Sequence, residues 1–377
     1  MNKIDILHFT LTNSRSGVNQ YILNAWNAID RNKFQFDFVT FSAKLDFEEQ
    51  LRQGGGHLYY VKNRAEDNIK CFREEIRNIF SISHPDVVHL HTSYWKSFEI
   101  EKLAKEYGVP KIIVHAHNSA VFDDSDREIK TERHLKLREI LTEDIATEFW
   151  ACSKIAAEWL YGNRIPAKQI KILKNAIDIS RFTFNPTIRN AYRYKLGWDT
   201  KYIIGHVGRF SYQKNHTFLI DIFKAALERN DNLRLLLIGI GPLEKDIREK
   251  VERYNLNDKI YFAGPREDVN NWMQAMDCFC LPSHFEGLPI VALEAQAAGL
   301  PCLLSSNITD EVKILESLYR IDLCKEQWVQ ELIKERVDLN RQLGSLKVAE
   351  AGFDIQRQIK ILEFAYENEL LNKNKFK

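Results

Sequence analysis

Short apolar runs alternate with longer amphipathic ones along almost the whole 377-residue chain, and the alternation starts twice. KIDILHFT opens the first set, followed by a polar Ser-Gly turn and by Val18, Tyr21, Ile22, Ala25, Trp26 and Ile29 at helical spacing. FQFDFVTF, HLYYV, PDVVHLHT, PKIIVHAH, TEFWACS and IKILKNAI continue it as strands. After RFTFNP the pattern restarts with KYIIGHVG, a helix through HTFLIDIFKAALE, and then LRLLLIGIG, KIYFAG, CFCLPS and LPCLLSS. Apolar strands spaced by helices imply parallel sheets covered on both faces. The sequence therefore predicts an α/β protein of two doubly wound domains, 1–183 and 184–352. The tail from 353 to 377, with Ile355, Ile359, Leu362 and Tyr366 at 3–4 spacing, predicts an amphipathic helix. Two such domains facing each other put the carboxyl ends of both sheets on one cleft, where ligands bind in these folds.

Composition narrows the function classes. Hydrophobic residues at 45% and charged residues at 28% exclude disordered and collagen-like chains. The net charge is +1, and residues 1–180 hold 25 basic and 25 acidic side chains, leaving 28 and 27 of the totals of 53 and 52 for the rest. Neither half has the field of a nucleic-acid binder. The start, MNKIDILHFTLTNSRSG, lacks a signal-peptide core, and LRLLLIGIG is far short of the ~18 residues that span a bilayer. The expectation is a cytosolic protein, at most peripheral to a membrane. Six cysteines without two-pair metal spacing are expected to be structural, Cys278 and Cys280 as small buried hydrophobes.

Two segments carry chemistry. In LPSHFEGLPIVALEAQAAGLP, residues 281–301, a strand ends near Pro282 and a turn carries Glu286 and Gly287. Pro289 suits the first turn of a helix that runs to about Ala298 and stops at Gly299. The N–H groups and dipole at that start make an anion site. Glu294, two turns in, can accept from paired hydroxyls such as a ribose diol. An isolated pair of glutamates is commonly a helix-start acid and a solvated face; the flanking pattern sets this pair apart. In IIGHVGRFSYQKNH, residues 203–216, Arg209 and Lys214 follow a strand end whose Gly205 and Gly208 permit close approach. Two cations there suit a diphosphate, although taken alone they read more readily as surface charges in a loop.

These segments, with LLLIGIGPL and IYFAGPREDV, resemble the C-terminal half of the retaining glycosyltransferases of family 4, which have the GT-B fold. The N-terminal half is similar through DVVHLHT, IIVHAHNS, ACSK and LKNAIDISRF. The resemblance implies an acceptor-binding domain at 1–183, joined by the returning helix at about 353–377, and a donor-binding domain at 184–352. It implies that Arg209 and Lys214 hold the donor diphosphate, that Glu294 binds the ribose and that Glu286 contacts the sugar. Backbone at Gly287, Leu288 and Pro289 lies near phosphate, and the segment Gly264, Pro265, Arg266 to Val269 holds the base. His117 in VHAHN matches the histidine beside the donor sugar and the reaction centre. The implied reaction transfers a sugar from a nucleotide diphosphate, a uridine diphosphate sugar by preference, with retention and without a metal or other cofactor. Its acceptor is a glycan or lipid-linked saccharide of a bacterial surface polysaccharide, handled at the inner face of the membrane. The basic stretch 127–140, with Arg127, Lys130, Arg133, Lys136 and Arg138, reads either as a lipid-facing stripe or as a solvated helix.

Other readings compete. Only Gly17 stands where the family usually has two glycines, so Gly17 and Val18 fit either a phosphate-facing helix start or a plain turn capped by Ser16. His89, His91, His115 and His117 form two H-x-H pairs, each with both imidazoles on one strand face. A metal hydrolase would require carboxylate ligands alongside them; packing or hydrogen bonding is expected for the first three. Asp124-Ser125-Asp126 follows no strong strand and reads as a solvated loop. Gly239-Ile240-Gly241 follows a strand but has Glu244 where a dinucleotide fingerprint needs its third glycine. A nucleotide-sugar epimerase of the same fold, a non-catalytic partner subunit and a sugar-sensing module remain as alternatives.

Overall fold

The computed structural model describes residues 3–13, 16–121, 126–336, 340–368 and 370. The chain divides into two compact units, residues 1–175 with 355–377, and residues 176–354. The division falls earlier than the expected boundary at 183/184, because the connecting stretch is hydrogen-bonded into the second unit. Ile177 donates to the Phe353 carbonyl at 3.0 Å, Gln274 donates to the Phe182 carbonyl at 3.3 Å, and the Asn185 amide donates to Gln274 Oε1 at 3.0 Å.

The first unit carries β1 (Ile4–Leu11), β2 (Phe34–Thr40), β3 (Leu58–Tyr60), β4 (Val87–Thr92), β5 (Lys111–Ala116), β6 (Glu148–Ala151) and β7 (Ile170–Ile172). They form a parallel sheet in the order β3-β2-β1-β4-β5-β6-β7. Every residue of β5 and β6 is buried, as a strand covered on both faces requires. Helix Gly17–Ala28 and helix Ile355–Glu367 pack together against this unit. The second of these is the returning C-terminal helix; Ile355, Ile359, Leu362 and Tyr366 are its buried stripe.

The second unit carries β8 (Tyr202–Val207), β9 (Leu233–Ile238), β10 (Ile260–Gly264), β11 (Cys278–Leu281), β12 (Cys302–Ser305) and β13 (Leu318–Ile321), all parallel in the order β10-β9-β8-β11-β12-β13. This is the doubly wound order in which the chain runs outward from β8 to β10 and resumes on the other side at β11. The core gathers Ile204, Leu219, Ile222, Phe223, Leu235 and Leu237 with Trp328. Cys278, Cys280, Cys302 and Cys152 are buried, whereas Cys324 is exposed. No helix of the described residues is long and apolar enough to cross a membrane.

One buried acid gives the first unit a pH-dependent stability. Glu101, 4% exposed in helix Glu99–Glu106, has its carboxyl pushed up to about 7 by burial. A folded pKa above the unfolded one means the folded state binds more protons between about pH 4.5 and 7, so this contribution weakens as pH rises through that window. Glu101→Gln is expected to raise unfolding free energy by about 2 kcal/mol at pH 8 and to change it little at pH 4. Urea denaturation at both pH values reads this out; equal gains at both would contradict it.

Candidate active site

Chain order reverses in the second sheet between the neighbours β8 and β11, and ligands of open α/β sheets bind outside the carboxyl ends at such a point. Two loops leave the sheet there, 208–215 after β8 and 282–289 after β11, and they are tied to each other. The His284 amide donates to the Gln213 carbonyl at 2.8 Å. Gln213 Nε2 donates to the Phe285 carbonyl and to Glu286 Oε2, both at 3.1 Å. The Tyr212 and His284 rings stack at 4.3 Å.

Lys214 Nζ lies 2.6 Å from Glu286 Oε1, which also accepts from Ser283 Oγ at 2.8 Å. Glu286 is 6% exposed, so its charge needs these partners. Lys214 thus approaches the site already paired with Glu286, and Gln213 and Ser283 complete the carboxylate's setting. An ammonium has three donors; among the described residues only Glu286 takes one from Lys214. Arg209 is exposed, with no hydrogen bond or ion pair from its guanidinium among the described residues.

The glycines after β9 have a packing reason. A Cβ on Gly239 would lie 2.0 Å from the Gly208 carbonyl oxygen, and one on Gly241 would lie 2.4 Å from that of Phe210. The Gly208 and Phe210 amides donate to the Ile238 and Ile240 carbonyls at 3.0 and 3.2 Å. The Gly-x-Gly therefore lets the Arg209 loop lie on its neighbour.

Pro289 stands at the N-cap of helix Ile290–Ala297, with Gly287 and Leu288 buried before it. Glu294, half-buried on this helix, has no side-chain hydrogen bond among the described residues. Burial pushes its carboxyl up to about 7 against the pull of the Arg181 guanidinium. At the end of β10, Gly264 has φ +69° and accepts from the Gly239 amide at 2.9 Å. Arg266 pairs with Asp268 at 2.9 Å, and Pro265 is exposed beside it. Arg266, with the Tyr192 hydroxyl at 2.6 Å, holds Asp268 down at about 2. Val269 opens the next helix, Val269–Ala275.

In the first unit the switch point lies between β1 and β4. Ser16 caps helix Gly17–Ala28, its Oγ accepting from the Asn19 amide at 3.2 Å, and Gly17 and Val18 form its first turn. His117 follows β5, and its amide donates to the Thr92 carbonyl at 3.0 Å. Register places His8 beside His89 and His91 beside His115. His89, His91 and His115 do pack and hydrogen-bond: His89 with His115 and the Tyr366 hydroxyl, His91 with His8 and His117. The groups His8-His89-His91 and His91-His115-His117 each bring three ring nitrogens within 4.8 Å, without a carboxylate. Asp124 and Ser125 lie outside the described residues. In helix Arg127–Glu139, Lys136 pairs with Glu132 at 2.6 Å and Arg133 with Glu66 at 3.9 Å, as a solvated helix would, while Ile129 and Ile140 are 60% and 65% exposed.

Two Rossmann-like parallel sheets, each with a switch point, are the architecture of the GT-B class. Residues 15–181 match the family model Glycosyltransferase Family 4, and residues 188–335 match Glycosyl transferases group 1. EpsF of Bacillus subtilis (strain 168), a glycosyltransferase by name, is 30% identical over 370 residues, 96% of each chain. The UDP-Gal:alpha-D-GlcNAc-diphosphoundecaprenol alpha-1,3-galactosyltransferase of Escherichia coli is 25% identical over 325 residues, 81% of this chain and 80% of that one. Anabaena HepE, solved with UDP and glucose, shares the fold with a TM-score of 0.78 at 17% identity over 97% of this chain and all of that one. The chain belongs to the family 4 glycosyltransferases, and it is a sugar transferase.

Proposed function

We propose that the protein transfers a hexose from a uridine diphosphate sugar to a lipid-linked saccharide acceptor during assembly of a bacterial surface polysaccharide, with retention at the anomeric carbon and without a metal. The observation that carries this reading is the joining of the Arg209–Lys214 loop to the Glu286 turn at the switch point of the second sheet. Departure of a nucleoside diphosphate develops negative charge, which Arg209, Lys214 and the amides from Gly287 to the helix start at Pro289 would stabilise in the role a metal plays elsewhere. Glu294 would accept from the ribose diol, and backbone around Gly264–Val269 would hold the base. Glu286, fixed by Lys214, Gln213 and Ser283, would face the sugar. In the first unit, His117 and the helix start at Gly17 and Val18 would meet the transferred group and acceptor. The galactosyltransferase relative, named for a diphosphoundecaprenol-linked acceptor, supports the lipid-linked class. Ile129 and Ile140, among the cations of helix Arg127–Glu139, support peripheral contact with the inner membrane face.

UDP is expected to raise the melting temperature with the logarithm of one plus its concentration over Kd, and Arg209→Ala to abolish that shift. Since an ionised carboxylate is the stronger acceptor for paired hydroxyls, UDP affinity is expected to fall as pH drops below about 7 in the native protein and to be flat with pH in Glu294→Gln. Label from UDP-hexoses should pass to polyprenyl-diphosphate-linked GlcNAc at the same rate with and without EDTA. Failure of UDP to bind, or transfer that survives Arg209→Ala, overturns the reading.

A further inference from the structure

Five buried histidines line one face of the first sheet, and their ring nitrogens connect in two separate chains. In one, His8 Nδ1 lies 2.9 Å from His91 Nε2, and His91 Nδ1 lies 2.8 Å from His117 Nε2. In the other, the Tyr366 hydroxyl meets His89 Nδ1 at 2.7 Å, and His89 Nε2 meets His115 Nδ1 at 3.2 Å. Tyr21 closes the cluster, with ring centroids 5.7, 5.1 and 5.1 Å from His91, His115 and His117. Burial lowers all five rings, His8 and His117 to about 3, so at neutral pH each holds one N–H and one lone pair.

Proton counting constrains the first chain. Three neutral rings carry three protons, and each of the two N···N contacts takes one. The third must sit at an end, on His8 Nε2 or on His117 Nδ1. His8 Nε2 is sealed in protein without a hydrogen-bond partner, its ring centroid 4.3 Å from that of Phe36. His117 Nδ1 has no protein partner among the described residues, yet it is not among the sealed, unsatisfied atoms. A buried N–H without an acceptor is the rarer and costlier orphan, so the proton belongs at the open end. His8 Nδ1–H then donates to His91 Nε2, and His91 Nδ1–H donates to His117 Nε2. The second chain has no such outlet, since its far nitrogen, His115 Nε2, is sealed as well.

We propose that His8 and His91 are positioning residues that hold His117 as its Nδ1–H tautomer and so present a neutral hydrogen-bond donor at the carboxyl end of β5. That the donor serves sugar transfer rests on the reading of His117 given above; the tautomer itself does not. The rival occupant is a transition metal. Ligand nitrogens at about 2.0–2.1 Å from a tetrahedral ion stand about 3.3 Å apart, and contacts of 2.8 and 2.9 Å are those of a shared proton.

Long-range 1H–15N correlation on protein carrying 15N-histidine, without substrate, tests this. The native protein is expected to show His8, His91 and His117 all as Nδ1–H, against the Nε2–H form that free imidazole side chains favour. His91→Glu, whose carboxylate accepts where the His91 ring donated, is expected to draw the His117 proton onto Nε2 and to lower donor turnover about tenfold with KM little changed. His8→Glu, an acceptor at the far end, is expected to reverse both hydrogen bonds and bring His117 to Nε2–H as well. His117 as Nε2–H in the native protein, a tautomer unmoved by either variant, or one equivalent of bound metal on elemental analysis overturns the proposal. If the tautomers are as expected but His117→Ala transfers sugar normally, the functional reading of His117 fails while the relay stands.

Discussion

Arg209→Ala is expected to lower kcat/KM for the sugar donor about 10²–10³-fold while leaving the urea midpoint where it is. The two halves of this result have separate causes. The guanidinium is exposed and engages no acid among the described residues, so its removal breaks nothing in the folded protein. Surface substitutions of that kind stay within about 0.5 kcal/mol. The same charge standing free at the switch point is what a leaving diphosphate requires, so its loss falls on the transition state. Lys214→Ala should lose activity to a similar degree but also stability. It strips the ion pair from Glu286, a carboxylate 6% exposed, and breaking a buried pair from one side costs about 3–5 kcal/mol. Lys214→Met with Glu286→Gln removes both charges and should recover most of that stability with none of the activity. Steady-state kinetics and urea titration of the native protein and these three variants check the expectations. An Arg209→Ala protein that turns over normally, or a double variant as unstable as Lys214→Ala, would remove the basis for treating these residues as the diphosphate site.

How far the sequence reached differs between fold and site. Strands rich in β-branched and aromatic residues between helical repeats announced both sheets, because a fully buried parallel strand must be apolar on both faces. β13 escaped, since LYRI is four residues long and carries Arg320. Arg209, Lys214, Glu286 and Glu294 were legible one at a time. That Lys214 and Glu286 are partners was not, because they stand 72 positions apart and meet only once β8 and β11 are neighbours. Gln213 and Ser283 left no signal, as one glutamine and one serine in loops have no pattern to read. The H-x-H pairs declared a shared face by period two alone, but His8 joins them only through the order β1-β4-β5. The missing third glycine at Glu244 already set Gly239 and Gly241 apart from a dinucleotide fingerprint; their packing reason, the close approach of two loops, left no signal in the sequence.

Lys111→Met is expected to cost about 3–5 kcal/mol and to loosen one end of the C-terminal helix more than the other. Lys111 is a charged residue in the interior of a strand, 1% exposed. Its Nζ forms an ion pair with Glu148 Oε1 at 2.9 Å and donates to the carbonyls of Ala365 and Asn368 at 2.5 and 2.7 Å. Both carbonyls stand at the C-terminal end of helix Ile355–Glu367, Asn368 just past it, where backbone oxygens have no partner within the helix. Glu148 is set in turn by Lys171 Nζ at 2.6 Å and Trp150 Nε1 at 2.7 Å, and these partners outweigh the burial that would raise its carboxyl. Methionine fills the space of the lysine stem but leaves Glu148 with half its countercharge and the two carbonyls dry. The helix should nevertheless stay docked, because Ile355, Ile359, Leu362 and Tyr366 are buried and each contributes about 1.5–3 kcal/mol on the apolar scale. Amide hydrogen exchange should therefore quicken from Leu362 to Glu367 and change little near Ile355. Uniform quickening along the helix would mean that the lysine secures the whole element, and an unchanged midpoint would mean that the apolar stripe alone holds it.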